Sequence, residues 1–328
     1  MTSHEKLNFA IIGAGVIGTR LASSFSKVPE IAIAYICDID LDKANVLASK
    51  YSAKAVSNYE EILKDYSISV VYVGVPPSLH KKFTIEFLRA GKHVICEKPL
   101  ALSVKDCNEM ITAGNNSGLL TTVNLPFRYT VGVTKMKELL QEQYVGEVKK
   151  IELKFRFPIW PRAWQNVSWL SKKFQGGPLR EVGTHFFFLL HELYGDVDKI
   201  LSLVQYPNEE DSETFASGII KMKNGLVATI DLLAGIPSKE ENSFTIIGSK
   251  GTLSLSEWYK LLGSQSGEEP EVLIDYSERS DLQMTKEFVK KLLDENSQTT
   301  LVSFDDAMYP QKILEAILKS NESWITIE

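Results

Sequence analysis

The sequence predicts an α/β chain in two domains. A doubly wound parallel sheet comes first, then an α+β half built on an open, mainly antiparallel sheet. Three observations carry this. The first third alternates short, continuous apolar runs with helical stretches, the pattern of a parallel sheet covered on both faces. After about residue 124 the apolar runs become period-two and are joined by glycine turns. The length, 328 residues, exceeds what one hydrophobic core usually serves. The expected domains are residues 1–123 and 124–328.

Taken in order, "NFAIIGAG" is a strand, and a helix follows from about Val16 to Ser26. "EIAIAYICD", "SVVYVGVPP" and "HVICEKP" are further strands, each followed by a helical stretch, and "LLTTVNL" closes the sheet. Right-handed crossovers make this a doubly wound domain. In the second half "KKIELKFRF" places Ile151, Leu153, Phe155 and Phe157 on one face and Lys154 and Arg156 on the other. Asn224-Gly225 and Lys250-Gly251 mark two hairpins. Helices are expected near 178–194, 282–296 and 304–320, and "GSQSGEEPE" as a polar loop.

Composition excludes several classes. The apolar fraction is 44% and the formal net charge −6, with no dense Lys/Arg block, so neither nucleic acid nor an anionic membrane is expected as partner. The opening residues lack a cationic leader and a long apolar run, so no secretion signal is expected, and no stretch is long enough to span a bilayer. Three cysteines, Cys37, Cys96 and Cys107, form no CxxC pair. That suits a reducing, cytoplasmic setting and no metal site.

"GAGVIG", Gly13 to Gly18, matches GxGxxG in the context that its mechanism needs, after a strand and opening a helix. Gly13 permits the tight turn, Gly15 lets a pyrophosphate approach, and Gly18 lets helix and strand pack closely. Val16 and Ile17 lie in the first helical turn, where free N–H groups and the helix dipole attract phosphate. Asp38 ends the second strand about twenty residues after Gly18, where an acid bonds an adenosine ribose hydroxyl. It would repel a 2′-phosphate and no Arg follows it, so NAD is expected as cofactor, with NADP possible. Pro76-Pro77 forces a non-helical exit from the third strand at the same sheet edge, placing Pro76 near cofactor, where His80 either touches the cofactor or, as such histidines more often do, serves the structure. "CEKP" ends the next strand there. Lys98 projects toward the nicotinamide end, and Glu97 pairs with Lys98 or bonds the cofactor.

A second constellation is "QGGPLREVGTHFFFLLHELYG". Glu181 and His185 are four apart, hence on one helical face, in a helix apolar almost all round and therefore buried. Spacing alone does not separate a core histidine from a working one. "FPIWPRAWQNVSWL" holds three of the five tryptophans. Its rings serve either to stack on a sugar or to cover the sheet.

Together these residues resemble the glucose–fructose oxidoreductase / inositol dehydrogenase / rhizopine catabolism family. "GAGVIG", "CDID", "PPSLH", "CEKPL", Arg128-Tyr129, "GG…E…H" and "IIGSKGTL" fall in that family's order over essentially the whole chain. The resemblance implies a Rossmann domain, an open-sheet second domain and an active site between them. It implies hydride transfer at a carbinol or carbonyl carbon of a small molecule, most often a sugar or polyol. Lys98 and His185 match the family's catalytic lysine and histidine, and Glu181 stands where an Asp is usual. The peptide before Pro99 is often cis in that family. Arg128, Arg162 and Trp164 are expected on the substrate side, and a homodimer or homotetramer is expected. The chain departs from the pattern at Glu181, at Phe188, where a second acid commonly follows the histidine, and at Trp164-Gln165, where a Trp-Arg pair is absent. Other readings remain open: the same chemistry on a dihydrodiol, a cyclic ketone or a biliverdin-like tetrapyrrole, or a non-catalytic dinucleotide-sensing regulator on the same scaffold.

Overall fold

Valine, isoleucine and alanine fill the interior positions of the first strands, so these strands lie in the middle of a covered sheet. β1 (Leu7–Ile12), α1 (Val16–Phe25), β2 (Ile31–Cys37), α2 (Leu41–Ala48), β3 (Lys54–Val56), α3 (Glu60–Lys64), β4 (Val70–Val73), α4 (His80–Arg89), β5 (His93–Glu97), α5 (Val104–Ser117) and β6 (Thr121–Asn124) alternate along the chain. The six strands are parallel, in the order β3-β2-β1-β4-β5-β6. The order reverses between β1 and β4, which opens a crevice at their carboxyl ends. Side chains close several helix starts: Asp40 accepts from Lys43 N and Ser103 from Asp106 N. The computed structural model describes residues 6–165, 167–276 and 280–327. The first five residues of the segment read as leaderless lie outside them.

The second sheet is larger. α6 (Val131–Gln141), β7 (Val148–Phe157), α7 (Thr184–Tyr194), β8 (Val197–Gln205), β9 (Phe215–Met222), β10 (Val227–Ala234), β11 (Glu241–Gly248), β12 (Gly251–Ser256), β13 (Lys260–Gln265) and β14 (Glu271–Ile274) follow. α8 (Asp281–Leu293), α9 (Phe304–Ser320) and β15 (Ile325–Thr326) complete the chain. Nine strands run β14-β13-β12-β11-β7-β10-β9-β8-β15, antiparallel except for the β7–β10 pair. Ile151, Leu153, Phe155 and Phe157 are buried against α6, α7 and α9, as their alternation requires. The opposite face carries ion pairs: Lys150–Glu152, Lys154–Glu241 and Arg156–Asp231.

The compact units are Met1–Pro126 with Ser280–Met308, and Phe127–Arg279 with Tyr309–Glu328. A single boundary at 123/124 therefore needs correcting, because the chain returns to the first unit. α8 packs on α1, Arg20 pairs with Asp281 at 2.8 Å, and Val123 N donates to Val302 O. "GSQSGEEPE" is not a free loop: its ends belong to β13 and β14, paired across a turn. β3 and β8 were not anticipated. β3 has three residues, and β8 carries charge at Asp198 and Lys199 beside its apolar positions.

Candidate active site

In the first unit the glycine turn is built by close backbone contact. Gly13 has φ +103°, and a Cβ there would lie 2.2 Å from Gly74 O. A Cβ on Gly18 would lie 1.9 Å from Gly13 O. Gly15 differs: a Cβ there meets nothing within 4 Å, so the backbone is open on the side where a pyrophosphate approaches. α1 begins at Val16 with no side-chain cap and no acid in its first turn, leaving its N–H groups for an anion. Asp38 accepts from Ala14 N at 2.8 Å and from Asp40 N at 2.9 Å. The glycine turn and the acid are thus one piece, and these residues fit a bound dinucleotide.

The turn after β5 explains why a buried strand ends in an acid, a base and a proline. Glu97 is buried and faces the sheet. Its Oε1 accepts from the Tyr72 hydroxyl at 2.8 Å and from Asn124 Nδ2 at 2.6 Å, and its Oε2 from Lys98 N at 3.2 Å. Burial pushes its pKa up, while Asn124, Lys98, Arg20 and Tyr72 oppose the rise. Glu97 is therefore an anchor beneath the turn. Lys98 is half-buried, and the Lys98–Pro99 peptide is cis. Pro76 is extended and Pro77 opens a short 3₁₀ turn to Leu79. His80, read as either a cofactor contact or a structural histidine, has no exposed surface. Its Nδ1 lies 2.8 Å from Pro99 O and its Nε2 2.8 Å from Val75 O. It ties the exits of β4 and β5 together and is removed from the set of cofactor contacts.

In the second unit the helix expected over 178–194 is continuous, but its first turn is widened. Leu179–Gly183 form a π-helical turn, and α7 begins at Thr184. Such widened turns occur often at functional sites. Glu181 lies on the π turn and accepts from Gln165 Nε2 at 3.4 Å. His185, in the first turn of α7, lies between Phe127 at 5.2 Å and Trp258 at 5.7 Å, centroid to centroid. The indole stands edge-on, at 89° to the imidazole. Arg128 donates to Glu192 Oε1 at 2.6 Å and covers the Phe188 ring at 5.0 Å, so the residue replacing the usual acid is an aromatic floor for that guanidinium. Arg162 is buried among Phe157, Trp160, Trp164 and Trp258, with its Nε on Glu240 at 2.8 Å. Trp164 itself is 56% exposed.

Four of these residues were not found from the sequence. Tyr72 had a signal, since a phenol inside "VVYV" needs a partner. Asn124 and Gln165 had none. Trp258 follows Glu257 in a turn where both have positive φ, which no turn motif announces.

The fold and the glycine turn define a dinucleotide-binding Rossmann protein with an appended open-sheet domain. Residues 7–125 match the model of the GFO/IDH/MocA oxidoreductase family with an NAD-binding Rossmann fold, and residues 133–254 match that family's C-terminal domain. The chain belongs to this family and is an NAD(P)-dependent oxidoreductase. It is 24% identical over 254 residues to a dTDP-3,4-didehydro-2,6-dideoxy-α-D-glucose 3-reductase of Streptomyces violaceoruber, covering 77% of this chain and 73% of that protein. It is 25% identical over 249 residues to a trans-1,2-dihydrobenzene-1,2-diol dehydrogenase of Sus scrofa, covering 75% and 72%. A levoglucosan dehydrogenase solved with NADH and levoglucosan shares the fold at TM-score 0.86 and 20% identity, over 99% of this chain and all of that one. Among the described residues, no helix is long and apolar enough to cross a membrane.

Proposed function

We propose that the chain transfers hydride between NAD and a carbinol or carbonyl carbon of a sugar, a polyol or a derivative of one. The observation that carries this is the anchored Glu97-Lys98-Pro99 turn at the carboxyl end of β5, one strand from the switch point of an NAD-binding sheet. When bound, the nicotinamide supplies or accepts the hydride. The chain handles the oxygen and its proton. Lys98 Nζ donates to the reacting oxygen and stabilises charge developing there. His185 carries the hydroxyl proton, and Glu181 orients the histidine or a neighbouring substrate hydroxyl. Arg128 and Arg162, already paired to Glu192 and Glu240, shape the substrate side with Trp164. The relatives named as acting on a dideoxy sugar and on levoglucosan support the sugar reading.

A second substrate class has its own support. The rings of Phe127 and Trp258 about His185 suit a flat, apolar diol, and one relative is named for a dihydrobenzenediol. The deciding experiment measures absorbance at the reduced-nicotinamide band with NAD and NADP across aldoses, polyols, anhydrosugars, their keto forms and trans-dihydrodiols. Turnover confined to the dihydrodiols would replace the sugar reading. Dinucleotide binding without turnover of any panel member would favour the non-catalytic sensor.

A further inference from the structure

Behind the π turn lies a buried acid that the reaction described above does not use. Glu213 sits just before β9 and is 3% exposed. It accepts from the backbone N–H of Leu179 at 2.8 Å. Leu179 is the first residue of the π turn, and Pro178 before it has no N–H to give. The carboxylate thus closes, from another segment of the chain, the start of the helical run that carries Glu181 and His185. Acids stabilise helix starts through such bonds and through the dipole.

The chain that enters the turn is wrapped around this carboxylate. Gly177 has φ +103°, and a Cβ there would lie 2.4 Å from Glu213 Oε2 and 2.7 Å from Oε1. Glycine is therefore required twice, by conformation and by space. Glu181 N in turn donates to Gly177 O at 2.9 Å. Displacement of the Gly177 peptide is passed directly to the residue beside the reaction.

Arg180 supplies the charge. It is 7% exposed, and among the described residues its Nε and Nη1 have no hydrogen-bond partner. The charges of Glu213, Glu315 of α9 and Tyr206 after β8 act on it through space and favour its ionised form, against the burial that opposes it. A buried guanidinium without a counter-charge is costly, and the charge of Arg180 in turn favours the ionised form of Glu213. Thr184 Oγ1 bonds Arg180 O at 2.7 Å, tying that residue to the first turn of α7.

We propose that Glu213 is a positioning residue: its ionised carboxylate, bonded to Leu179 N and enclosed by Gly177, fixes the start of the π turn and through it the placement of Glu181 and His185. The role rests on the reaction proposed above only in what the placement serves. Burial pushes the Glu213 carboxyl up to about 7, against the opposing bonds from Leu179 N and its own N–H and the charge of Arg180. The anchor therefore weakens as pH falls through neutrality.

The test begins with a readout that needs no substrate. Hydrogen exchange of the full-length protein is followed by mass spectrometry over residues 177–185 at pH 8 and pH 6, corrected for intrinsic rates. A charge-assisted bond that becomes a neutral one loses on the order of 1 kcal/mol, about five-fold in protection. That loss is expected in the wild type and absent in Glu213→Gln, which keeps an acceptor of the same shape. Equal protection at both pH values in the wild type overturns the proposal. The second readout is turnover of the panel compound used fastest. Glu213→Gln is expected to lower kcat about ten-fold and erase the limb near pH 7, with NADH Kd unchanged within about two-fold. Wild-type kcat with an unchanged pH profile overturns the proposal. If Glu213→Gln fails to fold, Arg180→Met/Glu213→Gln removes both charges, and wild-type kcat in that variant has the same force. Absence of turnover by the wild type would count against the proposed reaction, while the exchange result would still decide the role of Glu213.

Discussion

The Tyr72 hydroxyl donates to Glu97 Oε1 at 2.8 Å across the neighbouring strands β4 and β5, and the whole Tyr72 side chain is buried. The phenol and the Asn124 amide together satisfy one carboxylate oxygen, and the backbone of Lys98 the other. The network turns a buried acid from a liability into the foundation of the lysine's turn.

Tyr72→Phe should therefore destabilise the protein by about 1–3 kcal/mol, the cost of losing a hydrogen bond to a charged group. The deficit should grow with pH. The folded-state pKa of Glu97 is raised, so stabilisation by its proton is complete below the ordinary carboxylate value and is lost as pH rises through the folded value. Removing the phenol withdraws a bond from the ionised form and raises that value further. Urea titrations at pH 5 and pH 8 measure both deficits, and identical ones would show that Tyr72 does not bear on the charge of Glu97.

Asp38 should confer preference for NAD over NADP. Its carboxylate is held by Ala14 N and Asp40 N at the end of β2, where it would accept from a ribose hydroxyl and repel a phosphate. Asp38→Ala should raise KM for NAD about ten- to a hundred-fold, the range for one charged hydrogen bond, and narrow the ratio of kcat/KM for the two cofactors. Equal or better use of NADP by the wild type would overturn the assignment.

The parts legible in sequence were those written in local chemistry. Continuous apolar runs showed the parallel sheet, alternation at Ile151 to Phe157 showed the covered face of β7, and Asn224-Gly225 showed the hairpin of β9 and β10. What stayed hidden was set at long range. No local signal says that Ser280 to Met308 rejoin the first unit, because the contacts responsible, Arg20–Asp281 and Val123–Val302, join residues far apart in sequence. For His80 the sequence leaves a cofactor contact and a structural role open, and only the fold shows two carbonyls closing on its ring. The π turn is invisible for a related reason: "PLREVGTH" has ordinary helical spacing, and the acid that bonds its first N–H, Glu213, lies more than thirty residues away.

Glu181 and His185 should act as one unit. They stand on consecutive turns, and the reaction proposed here gives them a shared proton path. Groups in one network give non-additive losses. His185→Ala, Glu181→Ala and the double variant should show a coupling of about 0.5–3 kcal/mol in kcat/KM. Strictly additive losses would separate their roles.

The ion-paired face of the nine-stranded sheet should be covered by a second copy. Side chains on β7, β10 and β11 are half-buried there, paired as Lys154–Glu241 and Arg156–Asp231, while α6, α7 and α9 cover the other face. Light scattering at micromolar concentration is expected to give a dimer or tetramer whose dissociation is promoted by Arg156→Glu. A monomer would end this reading.

Lys98 should be needed for chemistry and much less for holding the dinucleotide. Its turn is fixed from below by Glu97, Tyr72 and Asn124, and from the side by His80 on Pro99 O. The backbone that carries the ammonium is therefore fixed at the carboxyl end of β5, which sets where the side chain starts. A charge-assisted bond that tightens as charge develops on that oxygen stabilises the transition state more than the ground state. Removing one such donor typically costs roughly 10²–10³ in rate. Dinucleotide binding is expected to rest elsewhere, on the open glycine turn and on Asp38. Lys98→Met keeps the length and loses the charge. Its kcat should fall by about that factor, with NADH Kd, measured by fluorescence, within about ten-fold of wild type. Wild-type turnover would reduce the ammonium to a structural partner of the turn. Lost NADH binding with unchanged turnover at saturation would make it a cofactor clamp.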